Sequence, residues 1–178
     1  LDFLSEVNVI KSEYLKPNLF NDYLPDLNDL ISIKDHKIRI GYKKNNLTLT
    51  GSGKIKLEKN YNKIEYKVTN RENIFNINSK IKLSELKLKN QEFLKYFFPK
   101  LNKITNLKDQ LIEIDYSQDN LSIKGSGRIK LEKDFENINF LISKIKDKFN
   151  FDTKVNLEKT SFDIDFLNFK KDDKLNTQ

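Results

Sequence analysis

Gly51-Ser52-Gly53-Lys54 is the stretch whose residue types most resemble chemistry: small residues that expose backbone N–H groups, then a lysine, are what a phosphate-cradling loop uses. Such a loop also needs a longer glycine spacing, a Ser or Thr after the lysine and a helix opening behind it. Here Lys54 is followed by Ile55, Lys56, Leu57 and Glu58, a strict two-residue alternation. Leu47, Leu49, Gly51, Gly53, Ile55 and Leu57 share one side, and Thr48, Thr50, Ser52, Lys54, Lys56 and Glu58 the other. The pattern is that of a half-buried strand with Lys54 in water, and it excludes a nucleotide loop. Other reactive residues are sparse. His36 is the only histidine and is expected at a structural, surface position. Asp163 and Asp165 alternate with Phe162, Ile164 and Phe166, where solvation explains them. Cysteine is absent, which removes disulfides, thiol catalysis and Cys-based zinc sites. No catalytic residue, metal ligand set or cofactor is expected.

The glycine stretch occurs twice. GSGKIKLEK at 51–59 is matched by GSGRIKLEK at 125–133, an offset of 74 residues from 51 to 125, and the register holds without a gap well beyond the glycines. Residues 37–66 lie over 111–140; Pro25, Leu27 and Asn28 lie over Pro99, Leu101 and Asn102; FNINSKIKL at 75–83 lies over FNFDTKVNL at 149–157; His36 lies over Gln110. SEVNV at 5–9 matches SKIKL at 79–83 more faintly. About two and a half copies of one unit are present. The copies divide the chain into 1–36, the end of a preceding repeat plus a short helix; 37–110, the first copy; and 111–178, an incomplete second copy, all within one continuous β domain.

Elements follow from the alternation. The first copy predicts strands at 37–42, 46–59, 63–69 and 74–83, with a short one near 86–89; the second predicts 111–116, 120–133, 137–143, 149–157 and 161–169. The turns KKNN, EKNYNK, SQDN and EKDFEN carry residues that tolerate tight geometry, so neighbours are antiparallel. A strand over 47–57 is roughly 36 Å long at ~3.3 Å per residue. In NQEFLKYFFPKL at 90–101, Phe93, Leu94, Phe97 and Phe98 have helical spacing and Pro99 is a stop; PNLFNDYLPDL at 17–27 parallels it. A short aromatic helix, at 90–98 in the first copy, therefore caps an end of each sheet unit or offers an apolar surface to a partner or membrane. The fold class is mainly β: an extended, curved antiparallel sheet of long amphipathic strands in a 74-residue tandem repeat with a short aromatic helix per repeat. The paired glycines on the apolar side mark either a bend in a long strand or a notch for a ligand chain.

Apolar residues make up 37% of the 178 residues and charged ones 33%, and no run approaches the ~18 apolar residues of a membrane helix. The net charge of +7 fits an anionic partner, nucleic acid or lipid headgroups, and equally the codon bias of a chain dominated by Lys, Asn, Ile and Phe. Lysines and apolar residues segregate to opposite faces, whereas a nucleic-acid platform interleaves them, so nucleic acid is not expected. The leading Leu and the lack of Met point to a piece of a longer polypeptide.

G-S-G entering a long alternating strand, a hairpin with aromatics, F-x-F/I-x-S/T-K-I/V-x-L and an upstream aromatic-Pro segment together resemble the AsmA-like proteins of Gram-negative envelopes, the AsmA/TamB/YhdP group, which is similar in architecture to the bridge-like lipid-transfer proteins. The best anchors are Gly51, Gly53, Gly125, Gly127, Pro25 and Pro99, and the likeness covers nearly the whole chain. It implies a repeating β-groove that carries phospholipid acyl chains along an apolar trough across the periplasm, from an inner-membrane anchor lying in segments outside this fragment. Expected partners are phospholipid and adjoining repeats of the same polypeptide. The residues expected to line the groove are Leu47, Leu49, Gly51, Gly53, Ile55, Leu57, Ile64, Tyr66, Phe75, Ile77, Leu121, Ile123, Gly125, Gly127, Ile129, Leu131, Ile138, Phe140, Phe149 and Phe151. The alternative is a non-catalytic structural scaffold or spacer in which the same residues form an ordinary closed core.

Overall fold

The structure, a computed structural model, describes residues 2–172 apart from 17, 19–20, 22–23, 25, 91–100, 119, 147 and 165–167, and without the side chains of 163, 164 and 170. Its strands are β1 Phe3–Leu15, β2 Leu30–Lys43, β3 Asn46–Lys56, β4 Tyr61–Arg71, β5 Ile74–Lys89, β6 Ile104–Ser117, β7 Asn120–Leu131, β8 Asp134–Ile145, β9 Lys148–Asn156, β10 Phe162–Ile164 and β11 Phe169–Lys171. The first nine form one open antiparallel sheet in chain order; β10 and β11 form a separate hairpin. No α-helix occurs among the described residues. The helix expected at 90–98 falls outside them, as does most of its parallel at 17–27.

Two-residue turns set the sheet's register. Lys44 and Asn45 have φ of 48° and 60°, and Glu72 and Asn73 have 51° and 64°, the doubly positive geometry whose twist matches that of flanking strands. Gln118 and Lys146 open the equivalent turns of β6–β7 and β8–β9 with φ of 51° and 55°. These four turns lie at one end of the sheet, called here the tip; the longer connections and the β3–β4 and β7–β8 links lie at the other, the base.

Burial is concentrated at the base. Leu83, Leu86 and Leu107 form the buried cluster, with Leu24, Leu57, Ile81, Leu88, Ile112 and Ile129 packed on it, and Leu27, Leu101, Leu131 and Ile138 are also buried. Leu83 and Leu86 are three residues apart on one strand yet enter the same cluster, so the inward parity switches between them. The same switch happens in β2 and β6. Asp35 and His36 together oppose Gly53, and Asp109 and Gln110 together oppose Gly127, each pair making a one-residue bulge. Asp35 and Asp109 take φ of 53° and 51°, which Asp tolerates better than most residues.

The bulges correct several expectations. Upstream of them the inward residues are Ile31 and Ile33 in β2, and Thr105 and Leu107 in β6; downstream they are His36, Ile38, Ile40 and Tyr42, and Gln110, Ile112, Ile114 and Tyr116. An alternation read in one parity stops at the bulge, so strands expected to begin at 37 and 111 actually begin at Leu30 and Ile104. Boundaries drawn at 36/37 and 110/111 therefore cut through β2 and β6. The pieces expected at 74–83 and 86–89 are one strand, β5. The strand expected over 161–169 is the β10–β11 hairpin instead, with Phe162 against Phe169 edge-on at 6.4 Å.

Candidate functional site: an apolar sheet face

Strand alternation and register place all twenty expected lining residues on one face. Leu47, Leu49, Gly51, Gly53 and Ile55 lie on β3, with Leu57 just beyond it; Ile64 and Tyr66 on β4; Phe75 and Ile77 on β5; Leu121, Ile123, Gly125, Gly127, Ile129 and Leu131 on β7; Ile138 and Phe140 on β8; Phe149 and Phe151 on β9. Register aligns them into lanes running across the strands. One lane is Ile40, Leu49, Val68, Ile77, Tyr116 and Leu121, each opposite the next; a second, nearer the base, runs Ile38, Gly51, Tyr66, Ser79, Ile114, Ile123, Ile142 and Phe151. The second lane crosses eight strands, which at ~4.8 Å spacing makes it about 34 Å long. Sequence reasoning left out the inward residues of β2 and β6, Val68 and Ile142, although KIRIGY and LIEIDY alternate as plainly as β3 does.

The space above each glycine is filled from within the sheet. A Cβ built on Gly51 would fall inside the Tyr66 ring, one on Gly53 inside the His36 ring, one on Gly125 inside the Phe140 ring, and one on Gly127 inside the Gln110 amide. His36 and Tyr66 also meet, with ring centroids 6.1 Å apart. Burial raises the Tyr66 phenol above its usual pKa, with a smaller push in the same direction from Tyr14.

His36 is not a surface residue: only 4% of it is exposed, because the bulge turns it inward over Gly53. Its Nε2 lies 3.2 Å from the Lys54 carbonyl oxygen, a donor position, while Nδ1 is buried without a hydrogen-bond partner. Gln110 repeats the arrangement, its Nε2 donating to the carbonyls of Arg128 at 2.9 Å and Lys108 at 3.0 Å, with Oε1 left unpartnered. Each bulge thus frees a carbonyl on the neighbouring strand and supplies the side-chain donor that satisfies it. On the opposite face Asp35 pairs with Lys54 at 3.0 Å, which holds the Asp35 carboxyl below its usual pKa, and Asp109 pairs with Arg128.

No family model, curated protein or solved structure matches this chain. Among the described residues no group of three or more His, Cys, Asp or Glu side chains could hold a metal ion, and no helix is long and apolar enough to cross a membrane.

The other face is mostly polar, with Ile74, Leu111, Leu141 and Ile145 among the exceptions, and is laced by ion pairs. Glu6 accepts from Lys37 at 2.8 Å and from Arg39 at 3.1 Å, which lowers its pKa; Lys80 pairs with Glu113 at 2.8 Å, which raises that of the lysine. An open recess of about 680 Å³ lies on this face, with Thr50, Ser52, Lys67 and Asp115 in its lining, and a second of about 340 Å³ has Lys124, Asn139 and Lys154 in its lining.

Toward the base the apolar lanes are closed off by hydrogen bonds. Asn62 accepts from the Ser84 backbone N–H at 2.8 Å and donates to the Asn60 carbonyl at 3.0 Å. Glu136, the residue 74 positions later, is 2% exposed and accepts from the backbone N–H groups of Glu158, Lys159 and Thr160 at 3.2, 2.7 and 2.7 Å. Burial pushes its carboxyl pKa up, but those donors together outweigh burial and leave it below the ordinary value.

Proposed function

We propose that this chain is a non-catalytic lipid-binding module whose apolar sheet face takes phospholipid acyl chains and leaves the headgroups in water. What supports the reading is one observation: a continuous apolar face runs across β2 to β8, while every substantial strand-to-strand contact among the described residues joins consecutive strands, so no second sheet packs over it. Between β2 and β8 most of that face toward the tip is half-buried at best, and Phe75 and Tyr116 are 42% and 38% exposed. Apolar surface on this scale, with few polar residues such as Ser79 and Lys144 among the lanes, is what a lipid-bearing trough requires.

The 74-residue offset belongs to the same reading. β2 and β6 are both 14 residues long and start at Leu30 and Ile104; the Asp bulge, the glycine pair and the filling residues recur at that spacing. A unit that repeats its inner surface lengthens a trough without redesigning it. The resemblance to AsmA-like proteins adds the envelope setting: a curved repeating groove across the periplasm, joined to adjoining repeats and to an inner-membrane anchor.

Native mass spectrometry of the freshly purified chain, followed by denaturation, tests the proposal. Phospholipid released in stoichiometric amount is the expected result. Its loss in Leu49→Glu and in Ile123→Glu, with circular dichroism unchanged, would place it on the apolar lanes. A clean unliganded mass for the folded wild type, with no uptake of a fatty-acid probe, would instead favour a structural spacer, a reading to which the polar-face recesses and ion pairs are better suited.

A further inference from the structure

We propose that the tip of the sheet, and the β8–β9 turn above all, is a docking surface for a bilayer carrying anionic headgroups; this deepens the lipid reading by naming the surface at which the module meets its lipid. The observation behind it is apolar exposure on both faces of the same turn. Phe149 and Phe151 project from the apolar face of β9 and are 54% and 72% exposed, their rings stacked at 6.3 Å. Ile145 belongs to the polar face of β8 and is 57% exposed. A trough ligand calls for apolar residues on one face only. A turn that is apolar on both is suited to being surrounded by an apolar medium.

Edge position alone does not account for the exposure. Phe75, the counterpart of Phe149 at the 74-residue offset, lies inside the sheet between β4 and β6 and is still 42% exposed. Its neighbour Ile74, on the polar face, is 39% exposed, so the β4–β5 turn repeats the two-faced arrangement.

Charge selects the occupant. Lys144, Lys146 and Lys148 surround the β8–β9 turn, against Asp147 as the one carboxylate in that stretch of sequence, and Lys144 Nζ sits 5.5 Å from the centre of the Phe149 ring. Lysines beside interfacial aromatics lay their stems along apolar surface and hold the ammonium at headgroup depth. Each lysine near an anionic surface strengthens binding by roughly fivefold, so three give about a hundredfold. At the other tip turns Lys43, Lys44 and Arg71 are accompanied by Glu72 and Asp119 in sequence, and the β8–β9 turn carries the most lysines of the four.

Vesicle co-flotation tests this, with phosphatidylcholine alone and with phosphatidylcholine containing phosphatidylglycerol. Wild type is expected to float with the anionic vesicles and to be released by high salt. The triple variant Lys144→Gln, Lys146→Gln, Lys148→Gln should lose about a hundredfold in binding. Ile145→Ser with Phe149→Ser should lose it too, with circular dichroism as the check on folding. Because the chain has no cysteine, a nitrobenzoxadiazole label on Ile145→Cys reports one site, and its emission should rise on anionic vesicles while the same label on Asn60→Cys at the base does not change. Leu49→Glu separates the two proposals: it should empty the trough yet still float. Absence of flotation by the wild type, equal flotation of the triple lysine variant, or a label response at Asn60→Cys alone would each overturn the docking surface.

Discussion

His36 and Gln110 differ in chemistry and do the same work, which makes the bulge site a measurable unit. Each projects inward over a glycine and donates to a carbonyl of the adjacent strand, that of Lys54 or Arg128. His36→Gln should therefore leave the thermal midpoint nearly unchanged, whereas His36→Leu, which leaves the Lys54 carbonyl unsatisfied, should cost about 1–3 kcal/mol. Gly53→Ala drives a Cβ into the near atoms of the His36 ring and should cost about 1–3 kcal/mol by overpacking; Gly51→Ala should cost less, since it meets only the far end of Tyr66. Combining Gly53→Ala with His36→Ala in a double-mutant cycle should recover part of that loss, and strict additivity in chemical denaturation would contradict the contact.

At the scale of elements, Glu136 decides where the second copy leaves the sheet. The position it occupies carries Asn62 in the first copy, where β5 continues to Lys89; with Glu136 accepting three backbone N–H groups, 158–160 turns away and β9 ends at Asn156. The folded-state pKa of Glu136 is lowered, so its contribution is fully present above the ordinary carboxylate value of 4.5 and is lost as pH falls through the folded value. Acidification through that lowered folded value, below 4.5, should release the 157–172 segment before the nine-stranded sheet melts, an outcome that the amide NMR signals of Thr160 and Ser161 and the methyl signal of Thr160 would report. Glu136→Gln should mimic that release at neutral pH, at a local cost of about 1–3 kcal/mol. How much of these elements the sequence discloses depends on parity. β3 and β7 keep one alternation from end to end and are legible almost to the residue, as are the lining residues they carry. β2, β5 and β6 change parity partway, and a period-two reading loses about half of β2 and of β6 and splits β5 in two. The buried status of His36 was hidden for the same reason, because nothing in the local residues states on which side of a bulge a polar side chain will fall. That the glycines are covered by Tyr66 and Phe140 was also illegible, since it depends on β4 and β8 being their neighbours in the same register.

At the scale of the whole molecule, the nine described strands β1 to β9 form one layer whose apolar face is held in register by turns and bulges and whose closed end is the leucine cluster at the base. Leu83→Ala or Leu107→Ala should cost about 2–5 kcal/mol, because both are nearly inaccessible and share that cluster. Charges on the lanes nearer the tip should behave differently: Leu49→Glu should cost little stability, since the residue is only half-buried, while abolishing lipid retention in native mass spectrometry.

Because every substantial strand-to-strand contact among the described residues joins consecutive strands, the sheet is connected like a chain of links rather than like a ball. Among the described residues, flexing about an axis parallel to the strands opposes no packed second layer, so the width of the apolar face can adapt to what lies on it. Amide protons should exchange slowest in β5 and β6 and progressively faster toward β1 and β9, and denaturant should peel strands from either edge in a broad transition instead of collapsing the whole structure at one midpoint.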